Sequence, residues 1–318
     1  MDGLERLFSM LQQWLFEAVV QPTLFAFGLG NLLEDAYAAT AWFMVGLIQI
    51  AIMLAVFAPL QRWRPVEAVR DRATIRVDVV YTLIHRLGLF RIALFFILTP
   101  WFDAAFGALR TAGVGTFHLD QLWPGVSDKA LVSLLIYLLV FDFVGYWIHR
   151  GQHQIGLWWR LHSLHHAQRQ MTMWSDNRNH LLDDILVDSL LVITAQLIGV
   201  APGQFIVIVA LTQLSESFQH ANLRLWFGAV GERLWVSPRF HRMHHSIGLG
   251  HESAGKNTLG GHNFGVLLPC WDMLFGTANF EQRYDATGIR DQVEQGRDYG
   301  GGFWSQQWLG LKRLFGRA

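Results

Sequence analysis

The residues best equipped for chemistry in this sequence are histidines, and their spacing is regular. His149 and His153 are four apart. His162, His165 and His166 form an H-x-x-H-H triplet, His241, His244 and His245 repeat it, and Glu216 and His220 form a further i, i+4 pair. Residues three and four apart share one face of a helix, so each triplet can gather three imidazoles from a single turn. Neutral imidazole is the commonest metal ligand. Nine histidines, with Glu216 as a candidate tenth ligand, exceed the needs of one tetrahedral or octahedral ion, and two metals are the economical reading. A thiolate-free imidazole set suits iron, zinc, copper or nickel, among which spacing does not choose. Burying so many imidazoles unpaired would be costly.

Other residues stand close to this set. Asp142, Tyr146, His149 and His153 step by four, three and four, so they line one helix face; Asp142 is suited to hold the second ring nitrogen of a ligating histidine. His180, His251 and His262 either support the ligands from behind or are plain loop residues. His85 and His118 read as ordinary solvated or hydrogen-bonded side chains, and Glu216 is equally readable as a solvated carboxylate near a membrane interface.

The elements that must position these residues are helices in lipid. Of 318 residues, 52% are apolar and only 16% charged, against about 25% charged in soluble domains. Spans are expected at residues 36–60 and 130–148, with a hairpin at 185–200 and 204–214 turned by Ala201, Pro202 and Gly203. Residues 79–99 read as another span despite His85, Arg86 and Arg91, and residues 11–28, with Glu17 and Pro22, as interfacial; the total is about four to six spans. Asp2 and Glu5 beside Arg6, with no small-residue site following, do not read as a cleaved signal peptide. Arg62, Arg64, Arg70, Arg72 and Arg76 follow the first strong span, whereas residues 100–127 hold only Arg110, which places the first of these loops and all the clustered histidines on the cytoplasmic side. The single Cys270 fits a reducing compartment. Twenty-five basic against 25 acidic residues exclude the basic excess a nucleic-acid partner demands. Residues 304–318 set Trp308, Leu311 and Phe315 at helical spacing against Lys312, Arg313 and Arg317: either a helix on the membrane surface or a basic tail. Ligands at helix ends emerging from lipid face membrane-partitioned substrates, whose bonds are mostly inert C–H. Attack on those calls for a redox metal and dioxygen.

The stretch Asp142–His153, DFVGYWIHRGQH, resembles the D-x-x-x-Y-x-x-H-R-x-x-H box of the fatty acid hydroxylase superfamily, the integral-membrane diiron enzymes that include sterol desaturases and lipid hydroxylases. His162–His166 and His241–His245 match its H-x-x-H-H motifs, residues 219–223 resemble its intervening single-histidine motif, and Asn263, Phe264, Gly265 and Trp271–Thr277 resemble its closing N-F-G and W-D-x-L-F-G-T elements. The resemblance covers residues 130–277 and suggests segments at 1–128 (N-terminal spans), 129–278 (catalytic) and 279–318 (tail). It implies an all-α, polytopic membrane bundle of four core transmembrane helices with candidate extra N-terminal spans and a cytosolic histidine-rich cap. It also implies two non-haem irons on His149, His153, His162, His165, His166, His220, His241, His244 and His245. Activity would be O2-dependent hydroxylation or desaturation of a membrane lipid (sterol, fatty acyl or related), on the sterol-desaturase-like branch. Electrons would come from a separate donor such as cytochrome b5, a ferredoxin or a reductase. Two departures stand out: a glycine-rich stretch at residues 246–262 that could act as a lid, and Glu216 one turn before His220, where a carboxylate ligand would alter redox tuning. The competing reading is a non-catalytic membrane metal-binding or electron-carrier protein. A bis-imidazole haem carrier needs histidines on facing helices at membrane depth, and a transporter needs ligands along a midplane path, where the spans offer only Asp142 and Asp188.

Overall fold

The computed structural model describes residues 2–317, which form helices and connecting loops with no strand; one isolated bridge pairs Ser246 with Thr287. An amphipathic helix α1 (Asp2–Leu15) leads into α2 (Gly30–Trp63), whose regular turns are widened at Met53–Phe57. Next come α3 (Arg72–Arg86), α4 (Leu89–Thr111), α5 (Ala130–Gln154), α6 (Gly156–His166) and the hairpin α7 (Leu181–Ile198) and α8 (Pro202–Gln219). The short α9 (Pro238–His244) and the late α10 (Phe303–Leu314) complete the elements that matter here. Among the described residues, α2, α4 and α5 are long and apolar enough to cross a membrane.

The expected span at residues 79–99 is divided. Gly88 takes φ +77°, a left-handed conformation that glycine adopts without a Cβ clash, and it ends α3 just after Arg86. The apolar run then restarts at Leu89 and continues through Pro100 to Thr111, well into what reads from sequence as a loop. Helix α3 is instead a polar element held inside the protein. Its Asp78 pairs with Arg178 at 2.5 Å, and Arg86 donates to Gln213, Asp176 and Ser217. This buried guanidinium ties α3 to α8 and to the turn at Ser175–Asn177. Helix α2 approaches so closely that a Cβ on Gly46 would overlap the Arg86 carbonyl.

The hairpin forms as expected but is longer, with 18 residues in each arm and Gly199 (φ +68°) at the turn. Each arm is about 27 Å at 1.5 Å per residue, close to the hydrocarbon thickness. Tyr137, Phe141 and Ile208 bury the contact between α5 and the hairpin. The C-terminal segment is a docked helix and not a free basic tail. It docks on α6 through buried Gln306, Gln307, Gly310 and Arg313, while Trp304, Trp308 and Phe315 remain exposed.

Candidate metal centre

Four elements deliver the nine histidines to one place. The last turns of α5 carry His149 and His153, and α6 carries His162, His165 and His166. His220 closes the C-terminus of α8. Helix α9 carries His241 and His244, with His245 at its end; Ser237 caps it by accepting from the Phe240 N–H at 3.1 Å, and Pro238 starts it.

The ring nitrogens fall into two groups of four, His149, His153, His162 and His166, and His165, His220, His241 and His245, within each of which they lie within 4.8 Å of one another. A third set, His166, His244 and His245, joins the two by sharing one member with each. All but the half-buried His149 are buried. In the second group the Nε2 atoms face one another at 3.1 Å (His165 to His220), 3.0 Å (His220 to His241) and 3.1 Å (His241 to His245).

A second layer fixes which nitrogen points inward. Nδ1–H of His149 donates to the Phe264 carbonyl at 3.0 Å, that of His220 to the Glu216 carbonyl at 2.8 Å, and that of His244 to the His262 carbonyl at 2.8 Å. His162 Nδ1–H donates to Asp183 at 3.0 Å, and Asp183 also accepts from Gln152 and the Trp158 indole. Nε2 is thereby left as the free donor atom. Burial and mutual proximity hold His165, His166, His241, His244 and His245 well below the usual imidazole pKa, so they are neutral and able to ligate. Both ring nitrogens of His153 and His166, Nε2 of His162 and His244, and Nδ1 of His165, His241 and His245 are buried without a hydrogen-bond partner. Each such atom costs about 1–3 kcal/mol. Divalent metal ions would satisfy the inward-facing nitrogens together, and the residues fit such a group.

The remaining candidates lie elsewhere. Asp142 does not hold an imidazole: it accepts from the Leu267 and Leu268 N–H groups at 2.7 and 3.2 Å and from the Trp271 indole at 2.9 Å, clamping the closing loop onto α5. Tyr146 bonds Thr277 and Arg150, each at 3.0 Å, on the same side. His180 caps α7 and binds the Gln307 carbonyl at 2.9 Å, away from both groups. His262 contributes its carbonyl, and its ring reaches Leu249 O. His251 is buried against Trp159 and belongs to none of the three sets, and burial lowers its pKa to about 4. Glu216 lies beside the histidines, with its carboxylate facing a cavity. His85 pairs with Asp184 at 3.3 Å and is no free surface residue.

The closing motif acquires a physical meaning. Asp272 accepts from the Phe264 and Gly265 N–H groups at 2.8 and 2.7 Å and from Thr277 at 2.6 Å. A Cβ at Gly265 would crowd that carboxylate at 2.8 Å. Asn263, at φ +63°, bridges Phe240 and Asn279. The motif therefore presents the carbonyl that orients His149. Residues 246–262 cover the His244 end, fastened by paired bonds between Arg290 and Glu252 at 2.8 and 2.9 Å.

Sequence reasoning missed Asp183. The pair Asp183–Asp184 looks like ordinary acidic decoration of a helix start, and its partner lies 21 residues away in His162.

Residues 134–277 match the fatty acid hydroxylase family model. Somewhat under half of the chain is thus similar to that family. It is 28% identical to an ornithine lipid hydroxylase of Rhizobium tropici over 80% of this chain and 73% of that protein. It is 26% identical to a fatty acid hydroxylase of a Lecanicillium species (46% of this chain, 41% of the other) and 25% identical to the human alkylglycerol monooxygenase (48% and 32%). The latter two matches thus span less than half of each relative. No solved structure matches. All nine clustered histidines, together with Asp183 and the closing clamp, lie within the matched residues.

Proposed function

We propose that this protein is a multi-pass membrane oxygenase that uses two irons, dioxygen and two electrons to hydroxylate a lipid C–H bond. The observation that carries this reading is the pair of four-histidine groups, joined through His166, His244 and His245, that border one cavity. The cavity, of ≈ 380 Å³, is lined by His149, His162, His165, His220 and His241 at one end and by Leu94, Leu191 and Phe205 further off. In the overall change, one oxygen atom enters the C–H bond and the other leaves as water with two protons and two electrons. The irons, when bound, supply the oxidising chemistry. His149, His153, His162 and His166 would hold one, and His165, His220, His241 and His245 the other, with His244 between them.

The chain's own contribution is orientation. Asp183 and three backbone carbonyls keep Nδ1 protonated and Nε2 free on four of the histidines, and the burial of eight of the nine limits access of water to the reacting atoms. Hydroxylation is preferred to desaturation because the relatives are hydroxylases and monooxygenases. The arginine distribution supports a cytoplasmic active site, served by a separate electron donor of the cytochrome b5, ferredoxin or reductase type. The tight triplets disfavour a bis-imidazole haem carrier.

The test is iron analysis of the purified protein combined with mass spectrometry of lipids from producing and non-producing cells. The expected result is close to two irons per chain and a lipid class heavier by one oxygen. Iron-free protein, or no altered lipid, overturns the reading.

A further inference from the structure

The cavity is graded along its length. Helix α4 contributes Phe90, Arg91, Leu94 and Phe95, and α7 contributes Asp184, Val187, Asp188 and Leu191, each set on one helical face. Near the histidines the wall is charged, and Glu216 is one turn from His220. About 10 Å further along α7, at 1.5 Å per residue, the wall is Leu191 and Val192, faced by Val209 and Phe205 of α8. An unadorned alkyl chain seated against the histidines would leave that charged belt buried and unbalanced, which is costly.

The charges sort into those already paired and those that are not. His85 pairs with Asp184, and Arg86 pairs with Asp176. Three remain. The guanidinium of Arg91 lies over the Trp42 ring at 3.8 Å and makes no direct ion pair, with Asp188 as the opposite charge that acts on it from a distance; Asp188 and Glu216, the latter near Arg86, likewise have no direct ion pair or side-chain hydrogen bond among the described residues. Two carboxylates and one guanidinium facing one enclosed space are complementary to a head bearing both an ammonium and an anion.

We infer that the cavity takes a zwitterionic aminolipid head-first, its ammonium on Glu216 and Asp188, its anionic group on Arg91, and its chains running out between α4, α7 and α8. This deepens the oxygenase reading and rests on it for the identity of the reaction. The carbon nearest the metals then belongs to the head or to the first carbons beyond it. The anion can be a carboxylate or a phosphate, and Arg91 would receive either.

The test is competitive retention. The iron-loaded full chain in detergent micelles is given equimolar lipids with matched acyl chains: an ornithine lipid, phosphatidylethanolamine, each of these N-acetylated, and the free fatty acid. Lipid retained after purification is then quantified. The free-amine lipids should be retained at least about tenfold over their acetylated forms, as expected for a charge-assisted bond. Asp188→Asn and Glu216→Gln should each lower that ratio, and Arg91→Gln should reduce retention of both zwitterionic lipids. The two amine lipids together report whether the anion is carboxylate or phosphate. Equal retention of amine and acetylated forms by the wild type, or preference for the fatty acid, overturns the proposal even if a variant fails to fold. Selective retention with no oxygen added to any lipid of the producing cells, where electrons are available, removes the oxygenase reading and leaves this one. Oxygen added to an uncharged lipid as readily as to the aminolipid does the reverse, and fragmentation of the product should locate the new oxygen in or beside the head.

Discussion

The first 129 residues and the histidine-bearing region that follows are built on opposite plans. In the first, the large apolar side chains face outward: Phe96 is 60% exposed and Trp101 75%. In the second, polar groups share the interior with apolar ones: His244, Asn263 and Asp272 are each 0% exposed. Lipid removes the reward for burying apolar surface between helices, so the first region is held by close fit and by a few buried charges such as Arg86. The second is held by named donor and acceptor pairs, and its tolerance to change should depend on chemistry more than on volume.

The sharpest break of that contrast is His166→Ala. Because His166 belongs to one four-histidine group and to the joining set, the variant should lose most of its iron, read by metal analysis, while His118→Ala retains it. Next is Asp183→Asn, which keeps the shape but loses the charge that orients His162; metal affinity should fall about 10–100-fold in chelator competition, with helix content unchanged. In the first region the largest effect should be steric: Gly46→Ala drives a methyl into the Arg86 carbonyl and should cost about 1–3 kcal/mol, seen as a lower Tm in detergent. Asp142→Asn should cost about 1–2 kcal/mol through weakened bonds to Leu267, Leu268 and Trp271. Smallest is Leu131→Ala on the outer face of α5, expected to stay within about 0.5 kcal/mol. A Leu131→Ala loss as large as that of Gly46→Ala would mean that this face is packed against protein.

What was readable from sequence follows the same division. The H-x-x-H-H triplets announce themselves because their geometry is local, fixed by the helical repeat. The turn of the hairpin was readable for the same reason, from Ala201 and Pro202, whereas the outer ends of its arms were not. Asp183 was not, because its role depends on α6 packing beside α7, and Asp142 was read as an imidazole partner because its own helix suggests one, whereas a loop 125 residues later captures it. The division at Gly88 escaped because a hydropathy average runs straight through a single glycine. His180 offered no local sign that its ring partner would be Gln307.

That last contact bears on the order of synthesis. Gln307 accepts from the Leu181 N–H, its carbonyl binds His180, and it reaches Tyr81, so the helix that carries Asp183 gains its anchorage from a residue made late. At roughly 5–20 residues per second, about 3–12 s separate the making of His245 from that of Gln307. For those seconds a ribosome-bound chain owns all nine clustered histidines but not the clasp that braces their carboxylate support, which predicts that any metal is taken up only after Gln307 has been made.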